Sequence, residues 1–171
     1  TAPVVASLAN PIDSGAPLVF SAVATQPQNA DWIQVHLPVK PNGTVGWVKR
    51  SEVKLYSDPY RIEIDRASFT LRVYKADQVW IDTKAGIGNG DTPTPVGVFY
   101  LMELLAPPNP NGAYGPYAFG LSGYSETLTS FNGGEGVIGI HGTNEPTSLG
   151  HDVSHGCIRV ANDVISSMAT Y

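Results

Sequence analysis

Glycine and proline cut this chain into short pieces. There are 18 of the first and 14 of the second in 171 residues. The runs between them are rich in aromatic and β-branched residues, which suit a pleated, half-buried surface. Every strand of a sheet must end in a turn, and Gly and Pro supply turn geometry at little cost. The pattern predicts a mainly β protein. At 42% hydrophobic, the chain has enough apolar matter for a core.

Two units can be read along it, residues 1–56 and 60–171. In the first, "WIQVHLP" alternates Ile33, Val35 and Leu37 with Gln34 and His36, the period of a half-buried strand. Asn42-Gly43 is a hairpin signal and leads into Val45-Gly46-Trp47-Val48. "RSEVKLY" is expected to close a small all-β unit. "SDP" at residues 57–59 reads as a joint.

In the second unit, "YRIEID", "TLRVY" and "VWIDT" alternate as strands, with a polar turn at residues 75–78. "GNGDTPTP" reads as a loop, and "VGVFYLMELL" from Val96 as a buried strand. The stretch from Ala106, "APPNPNGAYGPYAFG", is too rich in Pro and Gly for a regular element. Loops this long in compact domains often serve function. "GVIGIH" is a strand ending at His141, and "CIRV" a short one. "NDVISSMATY" is the helix candidate, with Asn162 as cap and Val164, Ile165, Met168 and Ala169 on one face.

The formal net charge is −5, and no basic run or basic-aromatic interleaving occurs, so no nucleic-acid partner is expected. No apolar stretch approaches the roughly 20 residues that span a bilayer, so this chain is not expected to be transmembrane. It starts at Thr1 rather than Met, which fits a chain whose export signal has been removed. One cysteine cannot form an internal disulfide, and a lone Cys is commonly a small buried hydrophobe.

That cysteine has unusual company. Every histidine except His36 falls within "IHGTNEPTSLGHDVSHGCIRV": His141, His151 and His155, with Cys157. His and Cys can ligate zinc, but this spacing matches no familiar zinc pattern, and no metal is expected. Nucleophilic catalysis is the alternative. A thiol needs a neighbouring base, and the base needs something to hold its ring. His141 ends one predicted strand and Cys157 begins another, so pairing of those strands would bring them together. His155, two residues before Cys157, is the rival base. Gly156 permits close backbone approach, and the N–H groups of Gly156 and Cys157 are candidate oxyanion donors.

These residues resemble the L,D-transpeptidases, the YkuD-type catalytic domain. Its signature is a histidine, a variable stretch, then Ser/Thr-His-Gly-Cys, a hydrophobic residue and Arg or Asn. Here His141-Gly142-Thr143-Asn144 is followed by Ser154-His155-Gly156-Cys157-Ile158-Arg159, with 16 residues from His141 to Cys157. "DTPTPVGVF" resembles the family's Thr-Pro-x-Gly-x-Phe segment, and residues 60–89 resemble its opening hairpin.

The resemblance implies a β-sandwich with a short helix after the cysteine. It implies an exported enzyme of the bacterial cell envelope, acting on peptidoglycan stem peptides without a cofactor. It further implies a thioacyl-enzyme, release of D-Ala, formation of 3→3 cross-links, and covalent inhibition by carbapenem-type β-lactams. Carried over by motif, Cys157 is the nucleophile and His141 the general base and later acid. The Gly142 carbonyl would orient His141. His155, Gly156 and Ser154 would shape the loop and oxyanion hole, and Arg159 would face substrate or brace the loop. His151 is outside the motif and is expected to be a solvent-exposed bystander. Loop length and position nominate Tyr117 or Tyr124 to line the acyl pocket.

Residues 1–56 resemble a bacterial SH3-like barrel, most clearly in "DWIQVHLPVKPNGTVGWVKRSEVKL". That implies wall binding, gating of the cleft, or a packed spacer with Trp32 and Trp47 in its core. Family catalytic domains also continue past the helix with a final Gly-x-x-Val strand, which does not occur before Tyr171. Two other activities fit the residues: an L,D-carboxypeptidase or endopeptidase hydrolysing the same bond, and a non-catalytic wall-binding protein with a structural Cys cluster.

Overall fold

Alternation becomes sheet in both halves of the chain, but only one half buries it deeply. The computed structural model describes residues 3–23, 31–130 and 135–170. The outer limits expected for the two units, Thr1 and Tyr171, lie outside the described residues.

The first unit holds β1 (Ser21–Ala22), β2 (Trp32–His36) and β3 (Val45–Lys49), an antiparallel sheet in that order. Ile33 and Val35 are buried, as their alternation predicts. Gly43 has φ +82° in the turn between β2 and β3, a conformation that favours glycine. Within "RSEVKLY", expected to close the unit, Arg50–Glu52 forms a short 3-10 turn. Among the described residues these three strands do not close, so the expected SH3-like barrel is not found. Trp32 and Trp47 are not core residues either. The register sets Trp32 opposite Lys49 and Trp47 opposite Gln34, on the face away from Ile33 and Val35. They remain 47% and 56% exposed.

The second unit opens with β4 (Tyr60–Asp65), β5 (Thr70–Lys75) and β6 (Gln78–Lys84), a meander. A short β7 (Ile87–Gly88) follows. Then come β8 (Leu101–Leu105), β9 (Ala118–Tyr124) and β10 (Val137–His141). β11 (Asp152–Ser154) pairs in parallel with β7, and β12 (Ile158–Arg159) in parallel with β10. The central sheet runs β12-β10-β9-β8. Helix α1 (Asn162–Met168) ends the described chain.

One core joins these layers. Leu71 and Val73 of β5 cluster with Phe119, Leu121, Ile138, Ile140, Ile158, Val160, Ile165 and Met168. Val164 and Ala169 pack against it, so the helix face read from the sequence is the buried one. Each large aliphatic side chain fully buried here contributes about 1.5–3 kcal/mol.

Three expectations need correcting. The strand expected from Val96 starts only at Leu101, and Val96 and Val98 are exposed. β9 falls partly within a stretch read as irregular. Its glycines are there for neighbours: a Cβ on Gly120 would stand 2.9 Å from the Glu103 carboxylate, and one on Gly123 2.5 Å from the Phe99 ring. Asn162 does not cap α1. The cap position is Ala161, with no side-chain cap bond.

Candidate active site

The site begins with strand register. β10 and β12 pair in parallel, Ile140 with Ile158 and His141 with Arg159. Successive side chains of a strand point to opposite faces. Ile140 and Ile158 therefore fill the core, while His141 and Arg159 turn to the other side. Cys157, one residue before β12, joins them at a cleft of about 250 Å³. The cleft is also lined by Tyr114, Leu128, Val137, Ser154 and His155.

His141 is buried, and its Nδ1 lies 2.5 Å from the Gly142 carbonyl oxygen. A carbonyl can only accept, so Nδ1 carries the proton in the neutral ring and Nε2 keeps a lone pair. Burial pushes the His141 pKa below the usual 6.5; the Gly142 bond opposes this, and the Arg159 charge adds to it. The Tyr114 ring packs edge-on against the imidazole, with centroids 4.9 Å apart. Burial also pushes the Cys157 thiol up; a hydrogen bond from the Gly139 backbone and the Arg159 charge pull the other way. Both groups are thus biased to their neutral forms.

Ser154 ties the cysteine loop together. It is buried; its hydroxyl donates to the Cys157 carbonyl at 2.6 Å and accepts from the Gly156 N–H at 3.1 Å. That Gly156 N–H, a candidate oxyanion donor by sequence, is therefore engaged within the loop. Gly156 has φ +113°, the left-handed side of backbone space that glycine tolerates. The "DTPTP" loop cradles this turn. Thr94 Oγ1 donates to the Gly156 carbonyl at 2.9 Å, and Thr92 Oγ1 to the Ser154 carbonyl at 3.3 Å.

Arg159 both lines the cleft and braces it. Nη1 donates to Glu145 at 2.8 Å, and Nε is buried with no hydrogen-bond partner among the described residues. His155 is exposed at the cleft edge, while His151 is exposed and does not line it.

The tyrosines nominated from the sequence stand elsewhere. Tyr117 packs against the core. Tyr124 bonds the first unit: its hydroxyl donates to the Pro38 carbonyl at 2.8 Å. Tyr114 lines the cleft instead, from the same Pro- and Gly-rich loop. Tyr114, Thr92, Thr94 and Asn162 all escaped the sequence reading as site residues. The two threonines and Tyr114 lie in segments already singled out, and Asn162 reads there as a helix cap.

No three His, Cys, Asp or Glu side chains converge as metal ligands among the described residues. No helix there is long and apolar enough to cross a membrane.

Comparison with known proteins gives a consistent picture. The YkuD sequence model, described as the L,D-transpeptidase catalytic domain, matches residues 59–171. A Bacillus licheniformis protein provisionally named L,D-transpeptidase YkuD is 36% identical over 112 residues, covering 66% of this chain and 59% of that one. Its Bacillus subtilis namesake is 33% identical over 115 residues, covering 67% and 62%. The structure of Bd1075 from Bdellovibrio bacteriovorus aligns with a TM-score of 0.51 at 28% identity, over 67% of this chain and 44% of that one. The chain spans about three fifths of the length of the curated relatives it matches.

Proposed function

The chain belongs to the family of YkuD L,D-transpeptidase catalytic domains, and from that premise we propose that it is a cysteine acyltransferase of peptidoglycan stem peptides. One observation carries this reading. The β10–β12 pairing turns His141 and Cys157 into one cleft, with Nδ1 of the histidine already engaged by Gly142.

In the proposed first step, His141 Nε2 takes the thiol proton as Sγ attacks the carbonyl carbon of the third stem residue. The oxyanion is stabilised by the Cys157 N–H, because the Gly156 N–H is held by Ser154. Collapse breaks the bond to the terminal D-Ala, whose nitrogen takes the proton from His141. A thioester remains on Cys157. The amine of a second stem then attacks it and gives its proton to His141. The thiolate leaves and is reprotonated, and a 3→3 cross-link results. Arg159, whose Nε has no hydrogen-bond partner among the described residues, would face substrate. A peptidoglycan substrate would have it act in the cell envelope after export.

Intact mass after incubation with a carbapenem tests the nucleophile. Wild type should gain one adduct, and Cys157→Ala none. A folded wild type without an adduct would support the non-catalytic reading instead. His141→Ala should slow acylation about 100- to 10,000-fold. A larger loss in His155→Ala would overturn the choice of base.

The pH profile tests the neutral pair. Protonating His141 removes the base, and its pKa is lowered by burial. The acid limb of acylation should therefore lie below 6.5, so activity persists further into acid than with an ordinary histidine. A limb at or above 6.5 would contradict a buried neutral base. Products from a disaccharide-tetrapeptide separate transfer from hydrolysis: dimers lacking one D-Ala show the first, tripeptides alone the second.

For the first unit we propose a bracing role at the cleft wall. Lys40 donates to the Glu135 carbonyl at 2.9 Å, next to cleft-lining Gly136.

A further inference from the structure

Asn162 stands at the start of α1, yet its side chain does not cap the helix. Oδ1 accepts the Thr143 N–H at 2.8 Å. It fills the point where a Cβ on either Gly115 or Gly142 would stand, and the Cα of Gly115 would lie 3.0 Å from that Gly142 Cβ. Three segments meet there: the loop carrying Tyr114, the residue after His141, and the start of the helix that follows β12. Gly115 adopts φ +64° at this contact, where a side chain would be both strained and blocked.

The geometry has a consequence for the base. The Thr143 N–H and the Gly142 carbonyl are two ends of one peptide unit. That unit is planar and trans, so holding the N–H fixes the direction of the carbonyl. Donating a bond from its N–H also polarises the amide and strengthens its oxygen as an acceptor. The same oxygen receives His141 Nδ1–H. The chain of contacts is therefore Asn162 Oδ1, the Gly142–Thr143 peptide, then imidazole.

We propose that Asn162 is a positioning residue that orients His141 through the intervening peptide bond, whose Gly142 carbonyl takes the place of the carboxylate in a Ser-His-Asp triad. It touches neither substrate nor the reacting atoms. The proposal rests on His141 being the base of Cys157.

Two variants and two readouts test it. Asn162→Ala removes the acceptor and frees the peptide to rotate. A misplaced base costs on the order of 10- to 100-fold in carbapenem acylation at neutral pH. At a pH alkaline enough to ionise the thiol directly, the same variant should acylate at close to the wild-type rate. Asn162→Asp keeps an oxygen in place and adds negative charge that favours imidazolium. It should stay within about threefold of wild type at neutral pH, with its acid limb moved to higher pH.

The second readout needs no substrate. Side-chain ¹⁵N NMR of His141 should show the Nδ1–H tautomer in wild type and Asn162→Asp, and a mixture of tautomers in Asn162→Ala. Wild-type rates in Asn162→Ala, an equal loss at neutral and alkaline pH, or an unchanged tautomer would each overturn the proposal. A wild type that carbapenem never acylates would instead sink the transpeptidase reading, while the tautomer would still decide the role of Asn162. Should Asn162→Ala fail to fold, the shifted limb and retained tautomer of Asn162→Asp carry the test, and an unmoved limb there counts against it.

Discussion

The two sheets of this protein use the same alternation to opposite ends. In the β1–β3 sheet, Ile33 and Val35 are buried, and the other face keeps Trp32 and Trp47 in water. In the β12-β10-β9-β8 sheet both faces are committed. Ile140 and Ile158 fill the core, while His141 and Arg159 shape the cleft behind them. A sheet buried on one side can hold a shape. Burial at the second sheet also lowers the His141 pKa and raises that of Cys157. The first sheet instead leans on the second. Asn42 pairs with both the N–H and the carbonyl of Tyr124, at 2.9 and 2.8 Å, much as one more strand residue would.

The largest expected effect lies in the enclosed sheet. Ile140→Ala leaves a cavity directly under the His141 strand and should cost about 2–5 kcal/mol. Urea unfolding measures it, and carbapenem acylation should fall with it, because the cavity lets β10 shift against β12. A cost below about 1 kcal/mol would mean the two faces are less coupled than the comparison holds.

A smaller effect is expected where the sheets meet. Asn42→Ala removes two hydrogen bonds from the Tyr124 backbone, at a cost of about 1–3 kcal/mol. Local opening should become roughly 10- to 100-fold easier there, read as faster hydrogen exchange at the Tyr124 amide. The exchange of amides in β10 should barely change. If β10 loosened equally, the first unit would be part of the catalytic core rather than a brace on it.

What could be read in advance follows the same division. The strand Val137–His141 and the short strand after Cys157 were legible, because apolar period and a local motif both mark them. β9 was not, because Gly120 and Gly123 erase the alternation to admit Glu103 and Phe99. The cleft tyrosine was not legible either. Within a Pro- and Gly-rich loop no period says which ring faces inward, so Tyr114 could not be told from Tyr117. The role of the Gly156 N–H depended on a loop bond to Ser154, which spacing cannot show. Asn162 looked like a helix cap, since its partner Thr143 is 19 positions away. Trp32 and Trp47 misled for a simpler reason: large aromatics usually find cover, and among the described residues no second layer supplies it.

The smallest effect sharpens that last point. Trp47 stands across from Gln34 on the open face and is 56% exposed. Trp47→Ala should cost only about 1 kcal/mol, because more than half of the residue's surface stays in water. Had the strands closed into a barrel around it, the same substitution would empty a core site and cost about 3–5 kcal/mol. The shift in urea midpoint, read against Ile33→Ala on the buried face of the same sheet, separates the two cases. An open sheet predicts that the isoleucine matters more than the tryptophan. A closed one predicts the reverse, and would mean that the aromatic face is covered when the protein is in solution. Carbapenem acylation should be unchanged in Trp47→Ala, since the ring lies outside the set of residues that line the cleft.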